Sequence, residues 1–267
     1  MSQADNPPKI PLNPRAGCLG WWPKTGWRAV LDPENGRIRA FLQEQALALG
    51  PDQRVLDAGA GKRPYAAIFR KQRYESCDMP GGFYVHAHDF ECWLHDIPQP
   101  DQSYDAVLLT QVLEHIPDPQ AVLCELWRIL KPGGKVVLSV PLNGPLHGEP
   151  WHFFQFTHYG IAELARRCGF ELVEIEKVGG AFWQLGKRLP DVFNKLLKQY
   201  DPGRARKRGQ PMALAVGMTF ALLPIWLMTY PLSAWVLRPV CYWFDRLDRV
   251  KDFTLGYTAV LLKPKTP

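Results

Sequence analysis

The short stretch Asp57-Ala58-Gly59-Ala60-Gly61 places a carboxylate and two glycines directly after the apolar pair Val55-Leu56. The glycines permit positive φ angles and let a ligand approach the bare backbone closely. We predict a buried strand that ends at the acidic residue, a glycine turn, and a helix that opens near Pro64. The N-terminus of such a helix would suit a carboxylate or a phosphate, although a plain tight turn would produce the same pattern.

A second carboxylate, Asp78, lies seventeen residues past Gly61 and ends the strand-like stretch Tyr74-Glu75-Ser76-Cys77. In a nucleotide-binding α/β fold, an acidic residue at the tip of the second strand accepts hydrogen bonds from ribose hydroxyls. The glycine turn and the two acidic residues therefore favour a cofactor that contains a nucleoside.

Two further motifs follow in the chain. Tyr104-Asp105-Ala106-Val107 leads into Val112-Leu113-Glu114-His115, and Leu130-Lys131-Pro132-Gly133-Gly134 precedes another apolar strand. Together with the glycine turn, these motifs resemble those of the class I S-adenosylmethionine-dependent methyltransferases, in particular the small-molecule, methyltransferase type 11-like group. The resemblance runs from about residue 54 to residue 177, with the motifs in the family's order and spacing.

The resemblance implies an α/β fold with a Rossmann-like, doubly wound, seven-stranded sheet whose last strand is antiparallel. Alternating strand and helix patterns over residues 51–177 agree with a parallel sheet and right-handed crossovers. The apolar run 253–262 is the only candidate for the last strand, which the family inserts between the fifth and sixth. We therefore expect an N-terminal arm and helix (1–50), a methyltransferase core, a helical insertion (178–252), and a final core strand with a tail (253–267).

The implied cofactor is S-adenosyl-L-methionine. Asp57 would hold its methionine amino group, directly or through water, and Gln111 would lie beside the methionine part. Asp78 would hold the ribose, and Leu94 would offer a backbone N–H to the adenine ring. The complete set of implied cofactor-binding residues is Asp57, Gly59, Gly61, Asp78, Leu94 and Gln111.

The chain departs from the family pattern at two positions. Arg63 replaces a common third glycine, and with Lys62 it could meet the carboxylate of the cofactor. Trp93 occupies a position where many relatives have an Asp that contacts the adenine amine. Its indole could stack on the base instead, or it could belong to the core.

Methyl transfer from a sulfonium is an in-line displacement, so the protein must chiefly align the reacting groups and exclude water. A hydroxyl acceptor would benefit from a base, and the candidate is His147 in the loop after the fifth strand. The same histidine could instead make a structural hydrogen bond in that loop. We expect His115 to be structural, and no metal-ligand cluster stands out in the sequence.

The six cysteines are scattered and include no Cys-x-x-Cys pair. This pattern predicts reduced thiols in the cytosol rather than a disulfide framework or a zinc site. Residues 1–14 contain no apolar run of signal-peptide length, which also favours the cytoplasm. Residues 1–34 hold six prolines and the tryptophans Trp21, Trp22 and Trp27, and we expect an arm packed on the domain or a substrate lid.

The net charge of +6 is concentrated in residues 178–252, which carry twelve basic and five acidic side chains. Within this segment the basic run 203–209 precedes twenty-nine uncharged residues, Gly209 to Leu237. That length could span a bilayer, but both ends must return to one compartment if the last strand joins the sheet. We therefore expect residues 204–237 to form a bent hairpin on the cytosolic face of a membrane, or a buried helical cap. No nucleic-acid partner is expected.

The sequence thus predicts methyl transfer to a small acceptor that is amphipathic or linked to a lipid. One alternative is an NAD-dependent oxidoreductase, which also uses a glycine turn and an acidic residue on the second strand. Another is a catalytically silent scaffold that docks partners through residues 178–252. The acceptor and the methylated atom are not encoded in any motif that we recognise.

Overall fold

The structure of the chain is a computed structural model, which describes Ile10, residues 32–82 and residues 87–265. The tryptophan cluster of the N-terminal arm lies outside the described residues. Seven strands form one sheet: β1 (Arg54–Ala58), β2 (Arg73–Asp78), β3 (Phe90–Glu91), β4 (Tyr104–Thr110), β5 (Leu130–Pro141), β6 (Glu171–Val178) and β7 (Gly256–Leu262).

The strand order is β3-β2-β1-β4-β5-β7-β6, and β7 is antiparallel to both of its neighbours. The prediction of a doubly wound sheet with a late antiparallel strand is therefore confirmed. Val178 at the end of β6 is paired with Gly256 at the start of β7. The intervening segment must consequently leave the sheet and return to it at adjacent strand ends.

Three helices accompany this sheet: α1 (Pro33–Leu47), α2 (Pro119–Ile129) and α3 (His158–Arg167). Successive strand residues point to opposite faces, and both faces are buried. Leu56 and Val107 belong to one apolar cluster, which includes residues of α2 and α3. Their neighbours Val55 and Leu108 belong to a second cluster, which includes residues of α1. The two clusters hold the strand ends, and the polar residues on them, in fixed register.

One predicted element is wrong. No α-helix opens near Pro64; residues 64–71 form successive turns in which N–H groups bond carbonyls three residues back, as from Ile68 to Tyr65 at 2.9 Å. A proline disfavours the helical region for the residue before it, and Arg63 has a φ of 54°. The expected anion site at a helix N-terminus is therefore absent from this part of the chain.

The prediction for the cysteines is also corrected. Cys124 of α2 forms a disulfide with Cys168, which follows the last residue of α3. The sequence hides this pair because 44 positions separate residues that become neighbours only when the two helices pack. The free cysteines within the described residues, Cys77, Cys92 and Cys241, are buried.

A second compact unit includes residues 179–254. It contains α4 (Ala181–Gln199), α5 (Pro202–Lys207), α6 (Met212–Leu232), a π-helical turn (Ser233–Leu237) and α7 (Arg238–Phe244). The last three elements form one continuous helix of 33 residues, Met212–Phe244.

The helix α4 runs antiparallel to this long helix. Thr219 donates a hydrogen bond of 2.7 Å to the carbonyl of Tyr200, and the Trp226 indole donates one of 2.6 Å to Asn194. At the other end, a Cβ on Gly186 would come within 2.9 Å of the Cβ of Cys241, so the glycine permits the close approach. The two helices therefore form a hairpin whose tip is α5.

The uncharged stretch forms neither of the two structures expected for it, a bent hairpin or a buried helical cap. Residues 212–237 form the second arm of the hairpin and do not bend into a hairpin of their own, because the helix continues through Pro224 and Pro231. A π-helical turn follows the second proline, a form of irregularity that helices use to accommodate an interruption. Nor is the stretch a buried cap, since most of its side chains are exposed.

Candidate functional site

The predicted site residues lie at the carboxyl ends of neighbouring parallel strands. Asp57 is the penultimate residue of β1, Asp78 ends β2, and Gln111 directly follows β4. In open α/β sheets, ligands bind in the crevice outside this edge of the sheet. The fold therefore brings these three side chains to the edge where a cofactor is expected.

The glycine turn is held against the end of β2. The N–H groups of Gly59 and Ala60 both donate to the carbonyl of Cys77, at 2.9 and 3.0 Å. Gly59 has a φ of 73°, and a Cβ at this position would lie 2.7 Å from a methyl group of Val112. Only glycine fits here, and the exposed backbone forms a cradle that a side chain would fill.

Asp57 is a buried carboxylate beside this cradle, only 1% exposed. Its Oδ2 accepts a hydrogen bond of 2.6 Å from the hydroxyl of Tyr74. Burial raises its pKa to about 6, although the Tyr74 hydrogen bond and the positive charge of Arg63 lower it. At neutral pH the group is therefore an ionised carboxylate in a poorly solvated position, which suits a cationic ligand such as an ammonium group.

Asp78 joins the glycine turn to the second strand. Its Oδ2 accepts a hydrogen bond of 2.8 Å from the N–H of Gly61, and its Oδ1 accepts one of 2.7 Å from the N–H of Met79. A carboxylate has about four lone-pair sites, so two remain for hydroxyl donors. The residue can therefore both close the turn and hold a ribose.

The positions that depart from the family pattern have distinct surroundings. The guanidinium of Arg63 donates to the carbonyl of Ala87 at 3.1 Å and lies over the ring of Tyr74. It is thus engaged with β2 and with the segment that precedes β3. Trp93 is 53% exposed, so it is not a core residue, whereas the neighbouring Leu94 is buried. An exposed indole remains able to stack on a base.

Gln111 has a φ of 54° and is fixed by two hydrogen bonds to Ser139 of β5. Its backbone N–H donates to the Ser139 carbonyl at 2.9 Å, and its side-chain amide donates to the hydroxyl at 3.3 Å. The strained backbone turns the chain away from the strand immediately after β4. This turn leads into the segment that contains Val112 and Glu114.

His147 belongs to a cluster that sequence reasoning missed. Its Nε2 lies 3.9 Å from Oε1 of Glu114, and Nε2 of His115 lies 3.8 Å from the same oxygen. The His152 ring is 4.4 Å from that of His147. Glu114 is fully buried, and neither of its carboxylate oxygens has a hydrogen-bond partner. Burial raises the pKa of Glu114 to about 7.

A signal for this cluster was present in the sequence. An adjacent Glu-His pair follows the fourth strand, and two histidines five positions apart follow the fifth. Parallel neighbouring strands deliver such loops to one edge of the sheet. His115 contacts both Glu114 and the loop that carries His147, and the structural role expected for it stays a prediction.

The edge of the sheet thus has the features that a methionine-containing nucleoside requires. A buried carboxylate can pair with the ammonium group, a side-chain-free turn admits the cofactor, and a second carboxylate remains available to ribose hydroxyls. Such a site on a seven-stranded sheet with this strand order defines a nucleotide-cofactor enzyme of the Rossmann-like class.

The family is shown by comparison with known proteins. Residues 33–175 match the model of a methyltransferase domain family. The chain belongs to this family, and its core is an S-adenosylmethionine-dependent methyltransferase domain. The match does not support the oxidoreductase or the silent scaffold that the sequence left open.

Relatives in other organisms agree with this assignment. An uncharacterised methyltransferase of Mycobacterium sp. (strain JLS) is 33% identical over 155 residues, which are 52% of this chain and 58% of that protein. A ubiquinone/menaquinone biosynthesis C-methyltransferase of Desulfotalea psychrophila is 29% identical over 177 residues, 60% of this chain and 71% of that protein. The chain therefore spans little more than half the length of the mycobacterial relative.

Solved structures confirm the fold alone. A [4+2]-cyclase shares 18% identity with a TM-score of 0.52, and the match covers 93% of this chain and 86% of that one. A methyltransferase described as putative from Bacillus halodurans shares 16% identity with a TM-score of 0.51, covering 85% and 98%. Because the first of these is named a cyclase, the fold by itself does not determine the reaction.

A first prediction concerns the charge on Asp57. Its pKa is about 6 in the folded chain and 3.8 when exposed, so the carboxylate stabilises the fold less as the pH rises through that interval. Asp57→Asn should therefore increase the free energy of unfolding at pH 7 by on the order of 1–3 kcal/mol, and should change it little at pH 4.

The same substitution should weaken binding of S-adenosylhomocysteine. Denaturant titrations at both pH values and calorimetry measure these effects. A variant that is less stable at pH 7, or that binds normally, would contradict the assigned role.

A second prediction concerns Asp78. Loss of a carboxylate that accepts hydrogen bonds from ribose should cost about 1.5–3 kcal/mol, so Asp78→Ala should weaken cofactor binding roughly ten- to a hundredfold. The variant Asp78→Asn keeps an oxygen that can accept the hydrogen bond from the N–H of Gly61. It therefore distinguishes an effect on ribose binding from an effect on the glycine turn. Glu91, an exposed acidic residue paired with Asp78 across the sheet, provides the control Glu91→Ala. Equal affinities for Glu91→Ala and Asp78→Ala would show that this carboxylate does not bind the cofactor.

Proposed function

We propose that this protein transfers a methyl group from S-adenosylmethionine to an amphipathic or lipid-linked acceptor at a membrane surface. In this reaction the methyl group passes from the sulfonium of the donor to the acceptor, and the rest of the donor leaves as a neutral thioether. The observation that carries the membrane part of the proposal is the apolar surface of the helical hairpin. The name of the Desulfotalea relative, which refers to quinone biosynthesis, is compatible with an apolar acceptor.

The base of the hairpin is closed by buried polar contacts within the second unit. Asp245 accepts hydrogen bonds of 3.1 Å from the N–H groups of Gly180 and Trp183, and Asp248 accepts one of 2.8 Å from Ala181. Lys251 compensates the charge of Asp245 at 2.5 Å. These carboxylates satisfy the free N–H groups at the start of α4 and interact favourably with its dipole. These contacts therefore join the start of α4 to the segment that follows α7.

Both arms expose apolar side chains. On α4 the exposed residues Leu185, Leu189, Val192 and Leu196 recur at helical spacing and form one stripe. The second arm adds a larger set of exposed apolar residues, among them Leu214, Phe220, Ile225, Leu227, Met228, Leu232 and Trp235. Contiguous exposed apolar surface of this extent marks a protein or membrane interaction site.

The charges favour a lipid surface over a protein partner. Arg204, Arg206, Lys207 and Arg208 are all exposed around the tip of the hairpin, directly before the apolar arm. Each basic residue near an anionic leaflet contributes about 1 kcal/mol of attraction. Apolar insertion and electrostatic attraction together give firm binding, whereas either alone is marginal.

The hairpin can attach without crossing the membrane. The helix Met212–Phe244 is long and apolar enough to span a bilayer by length and composition. Its partner α4, however, contains charged residues along its length, including Lys187, Asp191 and Lys195. Charges in the centre of a spanning helix are costly, and the arms return to paired strands. We infer that the hairpin lies in the interface, with α4 and the basic tip at the headgroups.

A third prediction tests membrane attachment. Wild-type protein should bind anionic vesicles, and reversal of Arg206, Lys207 and Arg208 to Glu should weaken binding roughly 100-fold, as expected for three attractions of about 1 kcal/mol. High salt should have a similar effect, because exposed charges are screened. Reversal of the exposed residues Arg70, Lys71 and Arg73 in the core changes the net charge equally and serves as the control. Vesicle sedimentation measures the binding.

Two outcomes would overturn the attachment. The protein could ignore anionic vesicles while remaining soluble without detergent, or the control reversals could weaken binding as much as those at the tip. Replacement of Leu189, Val192 and Leu196 by Ser tests the apolar contribution separately, and it should reduce binding to anionic vesicles even at low salt.

A fourth prediction tests the acceptor. Incubation of the protein with methyl-labelled S-adenosylmethionine and a bacterial membrane extract should place label in a product that partitions into organic solvent. The Asp57→Asn variant should transfer much less label, since it lacks the carboxylate proposed to hold the cofactor. Label confined to water-soluble products would exclude the lipid-linked acceptor and leave the methyltransferase assignment intact.

A further inference from the structure

We propose that Glu114, His115 and His147 bind a divalent transition-metal ion beside the cofactor cradle. Their ligand atoms, one from each residue, all lie within 4.8 Å of one another. A fully buried carboxylate whose oxygens both lack a partner is costly unless a cation compensates it. Within the described residues, the side chains that lie within 4 Å of its oxygens as ion-pair partners are those of His115 and His147. The two imidazoles and the carboxylate are a ligand set suited to zinc or a similar ion.

The hydrogen bonds orient two histidines as ligands. His147 Nδ1 lies 3.1 Å from the carbonyl of Pro145, and His115 Nδ1 lies against the carbonyl of Trp151. A carbonyl only accepts, so each Nδ1 carries the proton and each Nε2 presents a lone pair. Both Nε2 atoms point toward Oε1 of Glu114. This is the arrangement in which a backbone partner fixes the tautomer and direction of a metal-binding imidazole.

The same reasoning gives His152 a different role. Its Nδ1 accepts a hydrogen bond of 3.2 Å from the backbone N–H of His147, so its proton is on Nε2. That Nε2 is buried and has no partner. In this tautomer His152 cannot be a ligand through Nε2, but it can donate a hydrogen bond to an oxygen ligand of the metal.

The backbone around the cluster supports a built site. The carbonyl of Glu114 accepts hydrogen bonds from the N–H groups of Phe153 and Phe154, at 2.8 and 3.3 Å, which fasten the loop after β5 onto the turn after β4. Gly148 has a φ of 63°, and a Cβ there would lie 3.2 Å from the His115 ring. The loop can therefore approach His115 closely only because glycine occupies this position.

The three ligand atoms, which lie within 4.8 Å of one another, must approach further to bind an ion. Tetrahedral zinc with bonds of about 2.0–2.1 Å holds its ligand atoms about 3.3 Å apart. The two Nε2 atoms are 3.8 and 3.9 Å from Oε1 of Glu114. The side chain of His147 is 48% exposed, which leaves one side of the site open to solvent. Three protein ligands and an open position are the pattern of catalytic rather than structural zinc sites.

The location connects the site with the cofactor cradle. Val112, whose methyl group faces Gly59, is two residues before Glu114. A metal ion there could bind an oxygen of the acceptor and lower the pKa of its hydroxyl group, which would favour its attack as a nucleophile. In that case His147 acts as a ligand, and the ion replaces the base that the sequence offered as one of two roles for this residue. This catalytic part depends on the proposed methyl transfer, but metal binding itself does not.

The fifth prediction is tested with Zn²⁺ on the full chain, after chelation and without cofactor or acceptor. Wild-type protein should retain about one zinc ion per chain after dialysis, as measured by elemental analysis, and calorimetry should give the affinity. Glu114→Gln and His147→Ala should each weaken zinc binding at least about 100-fold, since loss even of outer-shell partners costs 10–100-fold. His95→Ala, at an exposed histidine outside the cluster, should bind like the wild type.

Unfolding would not explain a loss of binding in Glu114→Gln, because this change removes an unpartnered buried carboxylate and should leave the metal-free fold at least as stable. Circular dichroism and denaturant titration check this point. The assignment is overturned if the wild type retains no zinc, or if Glu114→Gln and His147→Ala bind as tightly as the wild type. It also fails if His95→Ala loses as much affinity as they do, which would indicate nonspecific binding to surface histidines.

Discussion

The insertion of β7 between β5 and β6 is the constraint on which the organisation of the chain depends. Its hydrogen bonds pair Val178 with Gly256, so the segment between them begins and ends at neighbouring points. Everything in residues 179–254 must therefore form a structure that returns to its origin. A two-helix hairpin closed by Asp245 satisfies this requirement, and a single membrane crossing does not.

Two carboxylates at the edge of the sheet are buried, which destabilises their charged forms. Asp57 and Glu114 both have a raised pKa because burial disfavours their charged forms. Asp57 is partly compensated by the hydroxyl of Tyr74, whereas Glu114 has no partner for its carboxylate oxygens. Buried carboxylates with raised pKa values are found preferentially at functional sites. We propose the ammonium group of the cofactor as the partner of Asp57 and a metal ion as the partner of Glu114.

The hairpin presents the opposite case, in which apolar groups are left in water. Side chains such as Phe220, Met228 and Trp235 lie on a helix that meets its partner on only one side. In a soluble protein such a surface is a liability, whereas at a lipid interface its burial provides the energy of attachment. The surface and the basic tip are the two features that support the proposed attachment to an anionic membrane.

The sequence by itself determined the alternating strands and the glycine turn, because strand periodicity and the motif Asp57-x-Gly-x-Gly are local signals. The order of the sheet and its late antiparallel strand followed from the resemblance of those motifs to a known family. The helix that the sequence predicted near Pro64 is absent, because Arg63 adopts a left-handed backbone conformation that the sequence pattern does not reveal. Nor could the sequence pair Cys124 with Cys168, or bring His147 to Glu114, since each pair meets only through packed helices or loops of neighbouring strands. The continuous helix through Pro224 was likewise decided by tertiary structure, where contacts with α4 outweigh the local cost of proline. Sites formed by residues that are adjacent in the chain could therefore be predicted from the sequence. Sites formed by residues from distant loops could not, because only the fold brings those loops together.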